Sequence, residues 1–448
     1  MYYSKINMVN ILLAFIIMGC NKQTSFHQDI KPIIHKNCAV CHHNKGSGPF
    51  NLLTYKDVSK RANMILEVVE TKYMPPWPAD PNYREFLNQK VLHKEEIMLI
   101  KKWIQDGLKI GINDDLEFRP SIKLDTQADI IVNMDKSYVT NGLNRDEFLM
   151  MKFPLLLEKD TFIKYIEFIP GNNQIVHHIN AHLITYESHQ KENIFNNPRY
   201  VNTEQFSDEE SFKKLDILNN DGTYPTLTPS VSNYLPGSES FQYPKGIGGF
   251  KAKKKNIILV NDFHYGPTNE PFKDSSYFKI YFDSIAPVRP IQEIQLGTFG
   301  ISDIEPPLII PANEIKKFKT SAIITRDISM LTINPHMHLL GKSFKAYAIN
   351  LYNDTIPLIK IDDWNFRWQY FYTFRNPLKI TAGSEIVVEA TYDNTVNNPD
   401  NPFNPPRLIS ERTGFNGQGS MRTTDEMLQF IINYLPYQKG DENINLDT

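Results

Sequence analysis

The chain has 448 residues, 41% hydrophobic and 22% charged, with a formal net charge of -3. That length exceeds one compact core and predicts roughly two to four domains. The composition is that of a globular protein rather than a disordered one, and so small a net charge gives no broad basic field for a nucleic-acid partner.

In chain order the first element is an export segment. Lys5 precedes the apolar run from Ile11 to Met18, followed by Gly19 and Cys20. The run is too short to span a bilayer stably and has the pattern of a cleavable signal. Ile17-Met18-Gly19-Cys20 resembles the bacterial lipoprotein processing site. That resemblance implies that residues 1–20 are the signal region, that Cys20 carries lipid, and that the exported protein is anchored on the periplasmic side, at the outer membrane. A simple signal peptide with a stray cysteine is the alternative. No later segment reaches the ~18 apolar residues of a spanning helix, so membrane attachment rests on Cys20.

Residues 21–118 are expected to be helical. Val58, Ala62, Ile65, Leu66 and Val69 repeat at helical spacing within Tyr55 to Thr71, as do Ile97, Ile100, Trp103, Ile104 and Leu108 within Lys94 to Leu108. Inside this region stands Cys38-Ala39-Val40-Cys41-His42, the attachment signature of c-type haem: two thiols spaced for thioether formation and an adjacent histidine for the iron. A redox disulfide or half a zinc site would use the same pair, but a zinc site wants a second cysteine pair and a redox motif wants a βαβ setting. Cys20, Cys38 and Cys41 are the only cysteines, so a lipid and a haem would leave none for a structural disulfide. Met74, in Tyr73-Met74-Pro75-Pro76-Trp77, is the expected second iron ligand, since two prolines would fix an extended loop around its thioether. Alternatively Met74 is core filler, and His43, Met64 or His93 takes the iron or the site stays open.

Beyond about Asp125 short apolar runs such as Ile257 to Val260 and Ile386 to Ala390 alternate with Asn, Asp, Gly and Pro clusters, the punctuation of antiparallel sheets. Some 320 residues of this texture predict two consecutive sandwiches, at 125–285 and 286–448, divided near Ser284 to Pro290. Asn397 to Pro406 is expected to be a loop. The expected architecture is therefore multi-domain: a small all-α cytochrome c-like domain followed by two all-β antiparallel, jelly-roll-like sandwiches.

Five histidines in the strand-rich part have ligand-like placement: His177 with His178, His264, and His336 with His338. Residues two apart on a strand face the same way, whereas neighbours such as His177 and His178 diverge unless the strand bends or ends there. Imidazoles suit copper, zinc or iron, and an added thioether favours copper. His182 and His189 match no ligand position and are read as ordinary polar residues.

Val176-His177-His178-Ile179, His264-Tyr265-Gly266, His336-Met337-His338-Leu339-Leu340-Gly341-Lys342 and Asp425-Glu426-Met427 resemble, in the same order, the metal-binding motifs of the ascorbate-dependent type II copper monooxygenases, the peptidylglycine and dopamine hydroxylase type. Trp368-Gln369 with Tyr372, and Tyr392-Asp393-Asn394, are similar to the flanks of bacterial members. The resemblance covers about residues 125–440. It implies an electron-transfer copper at His177, His178 and His264, and an oxygen-activating, catalytic copper at His336, His338 and Met427, facing each other across a cleft. The peptide-amidating members anchor a substrate carboxylate where this chain has Asn334, Gln429 and Ile431, so peptide amidation is not expected. The expected function is a haem- and copper-containing monooxygenase that hydroxylates a small organic substrate with O2, its electrons passing from haem to copper, with an external electron donor as a further partner. A non-catalytic electron-transfer or copper-binding lipoprotein, and a sandwich binding module with a haem sensor, are the rival classes.

Overall fold

The structure is a computed structural model that describes residues 23–113, 118, 127–238, 242–411 and 422–447. Cys20 and the export segment lie outside the described residues. The chain is mostly β with few helices, and none of the described helices is long and apolar enough to cross a membrane.

The N-terminal helices are Lys31–Asn37, Tyr55–Ser59, Ala62–Glu70 and Lys94–Gln105. They close over a core of Phe26, Ile30, Ile34, Val58, Ile65, Ile100 and Trp103, of which the last four belong to the apolar stripes that the spacing predicts. The single helix expected over Tyr55 to Thr71 is two. Thr54 caps the first through reciprocal hydrogen bonds with Asp57, and the break at Lys60 and Arg61 lets the Arg61 guanidinium sit 4.1 Å from the centre of the Phe50 ring.

Two sandwiches follow. The first pairs a four-stranded sheet with a five-stranded one, and the second repeats that count. Every ladder in these four sheets is antiparallel. Strand Gly341–Ile349 buries Phe344, Ala346 and Ala348 and half-exposes the residues between, the period-two pattern of a sheet with one face on the core. Strand Ile328–His336 is instead buried along nearly its whole length, because it lies inside its sheet between Tyr372–Ile380 and Gln429–Pro436. The last strand of the first sandwich is Tyr277–Asp283 and the first of the second is Gln292–Gly297.

The crossing between them is pinned by Arg289, which donates to both oxygens of Asp441 at 2.6 and 2.8 Å. Asp441 also accepts from Ser329 at 2.6 Å and is 3% exposed. Hydrogen bonding from Arg289, with Ser329 and the Gln438 amide adding to it against burial, holds this carboxyl at about 2. A carboxyl depressed from 3.8 to about 2 contributes about 2 kcal/mol above pH 4. That contribution should be lost as pH falls from 4 toward 2. Asp441→Asn should remove it at neutral pH and flatten the acid limb of a urea-melt series; an unchanged acid limb would disprove the assignment.

The helical unit and the second sandwich share a wall. After Met74, Trp77 packs 5.2 Å from the rings of Tyr370 and Tyr372, and Ala79 and Phe86 are members of the second sandwich's core. The backbone follows: Asp80 N–H donates to Lys360 O and Leu87 N–H to Thr373 O, each at 2.8 Å. The stretch 77–87 thus packs on the second sandwich and contributes Ala79 and Phe86 to its core, although it falls within the region read as helical.

Candidate metal centre

The first histidine cluster is built by a strand pair. Val176–Tyr186 and Lys255–Tyr265 run side by side with His178 opposite His264, and the register shifts between Val176 and His178. That bulge re-aims His177, so two consecutive residues that would diverge on a regular strand converge. The Nδ1 atoms of His177 and His178 are 3.3 Å apart, as are those of His264 and His178, and the potential ligand atoms of the three residues all lie within 4.8 Å of one another. Carboxylates hold two of the rings from behind. His178 Nε2 donates to Asp262 at 2.9 Å and His264 Nε2 to Asp146 at 2.7 Å. A carboxylate only accepts, so each Nδ1 keeps its lone pair aimed inward. Burial pushes the His264 imidazole down to about 4, against the pull of Asp146, and burial with its two neighbours lowers His177 well below the ordinary range. At neutral pH both are uncharged donors.

The second pair sits where Ile328–His336 ends. The rings of His336 and His338 are 5.0 Å apart and nearly perpendicular. Gln369 donates its amide to Phe366 O at 2.8 Å, which leaves its oxygen to accept from His336 Nδ1. His336 Nε2 is then buried without a partner. His338 Nδ1 donates to Asp425 O at 2.9 Å, and the ring is also hydrogen-bonded to the Arg422 backbone. An orphaned buried nitrogen is costly unless something binds it, and a metal ion would meet that need. Burial, with the neighbouring His338, pushes His336 down to about 3.

Glu426 fixes the turn by accepting from the amides of His338 and Leu340 at 2.9 and 2.6 Å; burial pushes its carboxyl up to about 8. Met427 is 2% exposed, and its carbonyl accepts from the Tyr392 phenol at 2.6 Å. It lies two residues before Gln429, the register partner of His336, so the ladder carries it to the same sheet end.

Asp262 stands between the clusters. Burial opposes its ionisation, yet His178, by charge and hydrogen bond, with His264 and His336 behind it, holds it at about 2. His178, Asp262 and His336 all line one cavity of about 1500 Å³ between the sandwiches, together with Asn334, Gln429 and Ile431. A loop of the second sandwich reaches across beside them. Phe366 lies 6.3 Å from His264 and 5.8 Å from His338, and Arg367 grips Asp146 at 3.1 and 3.2 Å.

In the helical unit Cys38 and Cys41 are unpaired thiols. His42 Nδ1 donates to Phe50 O at 3.0 Å, leaving Nε2 as its free lone pair, and a Cβ on Gly48 would meet the imidazole at 2.6 Å. Met74 follows the helix Ala62–Glu70, its amide donating to Val68 O at 3.0 Å. Of the other choices, Met64 is 41% exposed and His93 begins the helix Lys94–Gln105. His182 Nδ1 donates to Thr228 O at 2.9 Å and His189 is exposed, each outside the clusters.

Sequence reasoning missed Asp146 and Asp262. Asp262 was findable, because it stands two residues before His264 and so on the same strand face. Asp146 is 118 residues from its histidine, and nothing local marks it.

Fold and site together define a two-sandwich protein with two histidine sets, each of which sends one member, His178 and His336, to the wall of a shared cavity. Residues 310–400 match the family model of the copper type II ascorbate-dependent monooxygenase, C-terminal domain. This match supports that family, and with it copper and monooxygenase-type oxidoreductase chemistry; it includes His336 and His338. No curated protein matches the chain. Among solved structures the chain is similar to PNGF-II (8% identity, TM-score 0.26, 68% of this chain and 65% of that one), so it spans just under two-thirds of that protein. It is also similar to allantoicase (8%, TM-score 0.16, 57% and 81%) and to a structure of infectious bursal disease virus Gt strain (9%, TM-score 0.15, 69% and 84%).

Proposed function

We propose that the protein hydroxylates a small organic substrate with O2, using copper at two histidine sites and electrons from a c-type haem on the same chain. The observation that carries this is the shared cavity, onto which His178 and His336 both open. His177, His178 and His264 would hold one copper through Nδ1, and His336, His338 and Met427 the other. Copper supplies one-electron chemistry and O2 activation, and the reaction consumes two electrons and two protons to give the alcohol and water.

The chain's own residues orient and exclude. Asp262, Asp146 and Gln369 fix the ring tautomers, and Phe366 separates His264 from His338. The Asn334 amide is spent on Tyr370 O at 2.9 Å, and Lys164 and Lys245 are the cationic side chains among the described residues lining the cavity.

Cys38 and Cys41 would carry the haem, and His42 Nε2 and the Met74 thioether would hold its iron; unpaired thiols and a fixed imidazole tautomer fit that role. Haem supplies reversible one-electron storage. Lipid at Cys20 would keep the protein on the periplasmic side, anchored to the outer membrane. Elemental analysis with a pyridine haemochrome spectrum on the purified full chain should find iron and copper in a one-to-two ratio. Iron without copper would instead favour a sandwich module with a haem sensor, and copper with no haemochrome band would remove the haem.

A further inference from the structure

We propose that Tyr370 and Trp368 form the electron path from the CxxCH pocket to the first histidine cluster. This rests on the haem-to-copper reading above and adds the route.

The CxxCH loop is docked against both sandwiches. Gly237 of the first approaches so closely that a Cβ there would lie 2.3 Å from Cys41 Sγ. The Gly237 carbonyl accepts from the Lys90 ammonium at 2.7 Å, and that ammonium lies 5.4 Å from the centre of the Tyr370 ring. Asn173, four residues before His177, donates to Lys45 O at 2.8 Å. Tyr370 of the second sandwich lies near Cys41; its phenol donates to Pro76 O at 2.8 Å, in the Met74-Pro75-Pro76-Trp77 turn, and its ring is 5.2 Å from Trp77. Tyr370 therefore touches the methionine turn and flanks the cysteine loop.

From Tyr370 the aromatic contact continues inward. Trp368 lies nearly parallel to Tyr370, 6.3 Å between centres at 13°. The centre of the His177 ring is 5.6 Å from Trp368, and His177 Nδ1 is in the first cluster. Three rings in series span the distance, two of them offered by one short segment of the second sandwich. Electronic coupling falls steeply across empty space and much less across packed, bonded matter, so this continuous contact sets the route. Each transfer moves one electron: ferrous haem becomes ferric and Cu(II) becomes Cu(I). Neither ring is oxidised, and no proton or further reactant is required.

The test uses the full chain carrying both metals, without O2. The haem is reduced by one electron while copper is Cu(II), and decay of the ferrous haem band is followed with loss of the Cu(II) resonance. Trp368→Leu should slow both by an order of magnitude or more, and Trp368→Phe should restore most of the rate. Haem potential and copper resonance should match wild type in both variants. Tyr370→Leu, whose ring does not touch the histidines, should slow transfer likewise and covers the case in which Trp368→Leu disturbs copper. Wild-type rates in the leucine variants with both metals bound would overturn the path while leaving the haem-to-copper reading intact. Absence of transfer in wild type would overturn that reading and the path together.

Discussion

Replacing His336 and His338 together with alanine should lower copper from two equivalents to one, abolish hydroxylation, and leave the resonance of the three-histidine copper in place. The expectation follows from the arrangement of each ring. Gln369 and the Asp425 carbonyl take the two Nδ1 protons, which leaves the Nε2 of each ring as its lone-pair nitrogen, that of His336 buried and unpartnered. Alanine removes those donors without removing Asp262, His178 or His264, which belong to the other cluster. The double variant removes a buried, unpartnered nitrogen but leaves the Gln369 side-chain oxygen and the Asp425 carbonyl without their imidazole donors. The lost ring volume also costs packing, so its stability should fall, and circular dichroism checks the fold. Metal analysis with resonance spectroscopy reads the outcome. Two equivalents of copper in the double variant would show that these histidines hold no metal.

The second large effect is expected at Asp262. Asparagine is nearly isosteric and its carbonyl can still accept from His178 Nε2, so the ring keeps its orientation while losing the charge behind it. Loss of such a buttress typically lowers metal affinity about 10- to 100-fold. A chelator competition should show that fall for the first site in Asp262→Asn, and a smaller one for the second, because His336 also senses this carboxylate. Unchanged affinity at both sites would mean that the carboxylate only fills space. Asp146 offers a comparison, since its charge is already shared with Arg367.

Several of these features could be read before any coordinates. The CxxCH motif, the ordered histidines and the alternating apolar runs are local signals, and the strands and helices follow them closely. What could not be read depends on contacts between distant residues. Convergence of His177 with His178 needs a bulge whose cause is the register against Lys255–Tyr265. The split of the Tyr55 to Thr71 stretch reflects Arg61 turning to Phe50, a partner outside the helix. Trp77, Ala79 and Phe86 are apolar but follow no period, so the sequence gives no sign of which core receives them.

That last point bears on how the protein can be divided. A chain begun after residue 118 would keep all five clustered histidines yet leave a hollow beside Tyr370, Tyr372 and Phe374 where Trp77 and Phe86 had stood. Expressed alone, the two sandwiches would present a sticky aromatic trough to solvent, and the helical segment would lose its seat. The N-terminal unit is therefore no detachable accessory: the part that carries the cysteines also plugs the part that carries the histidines.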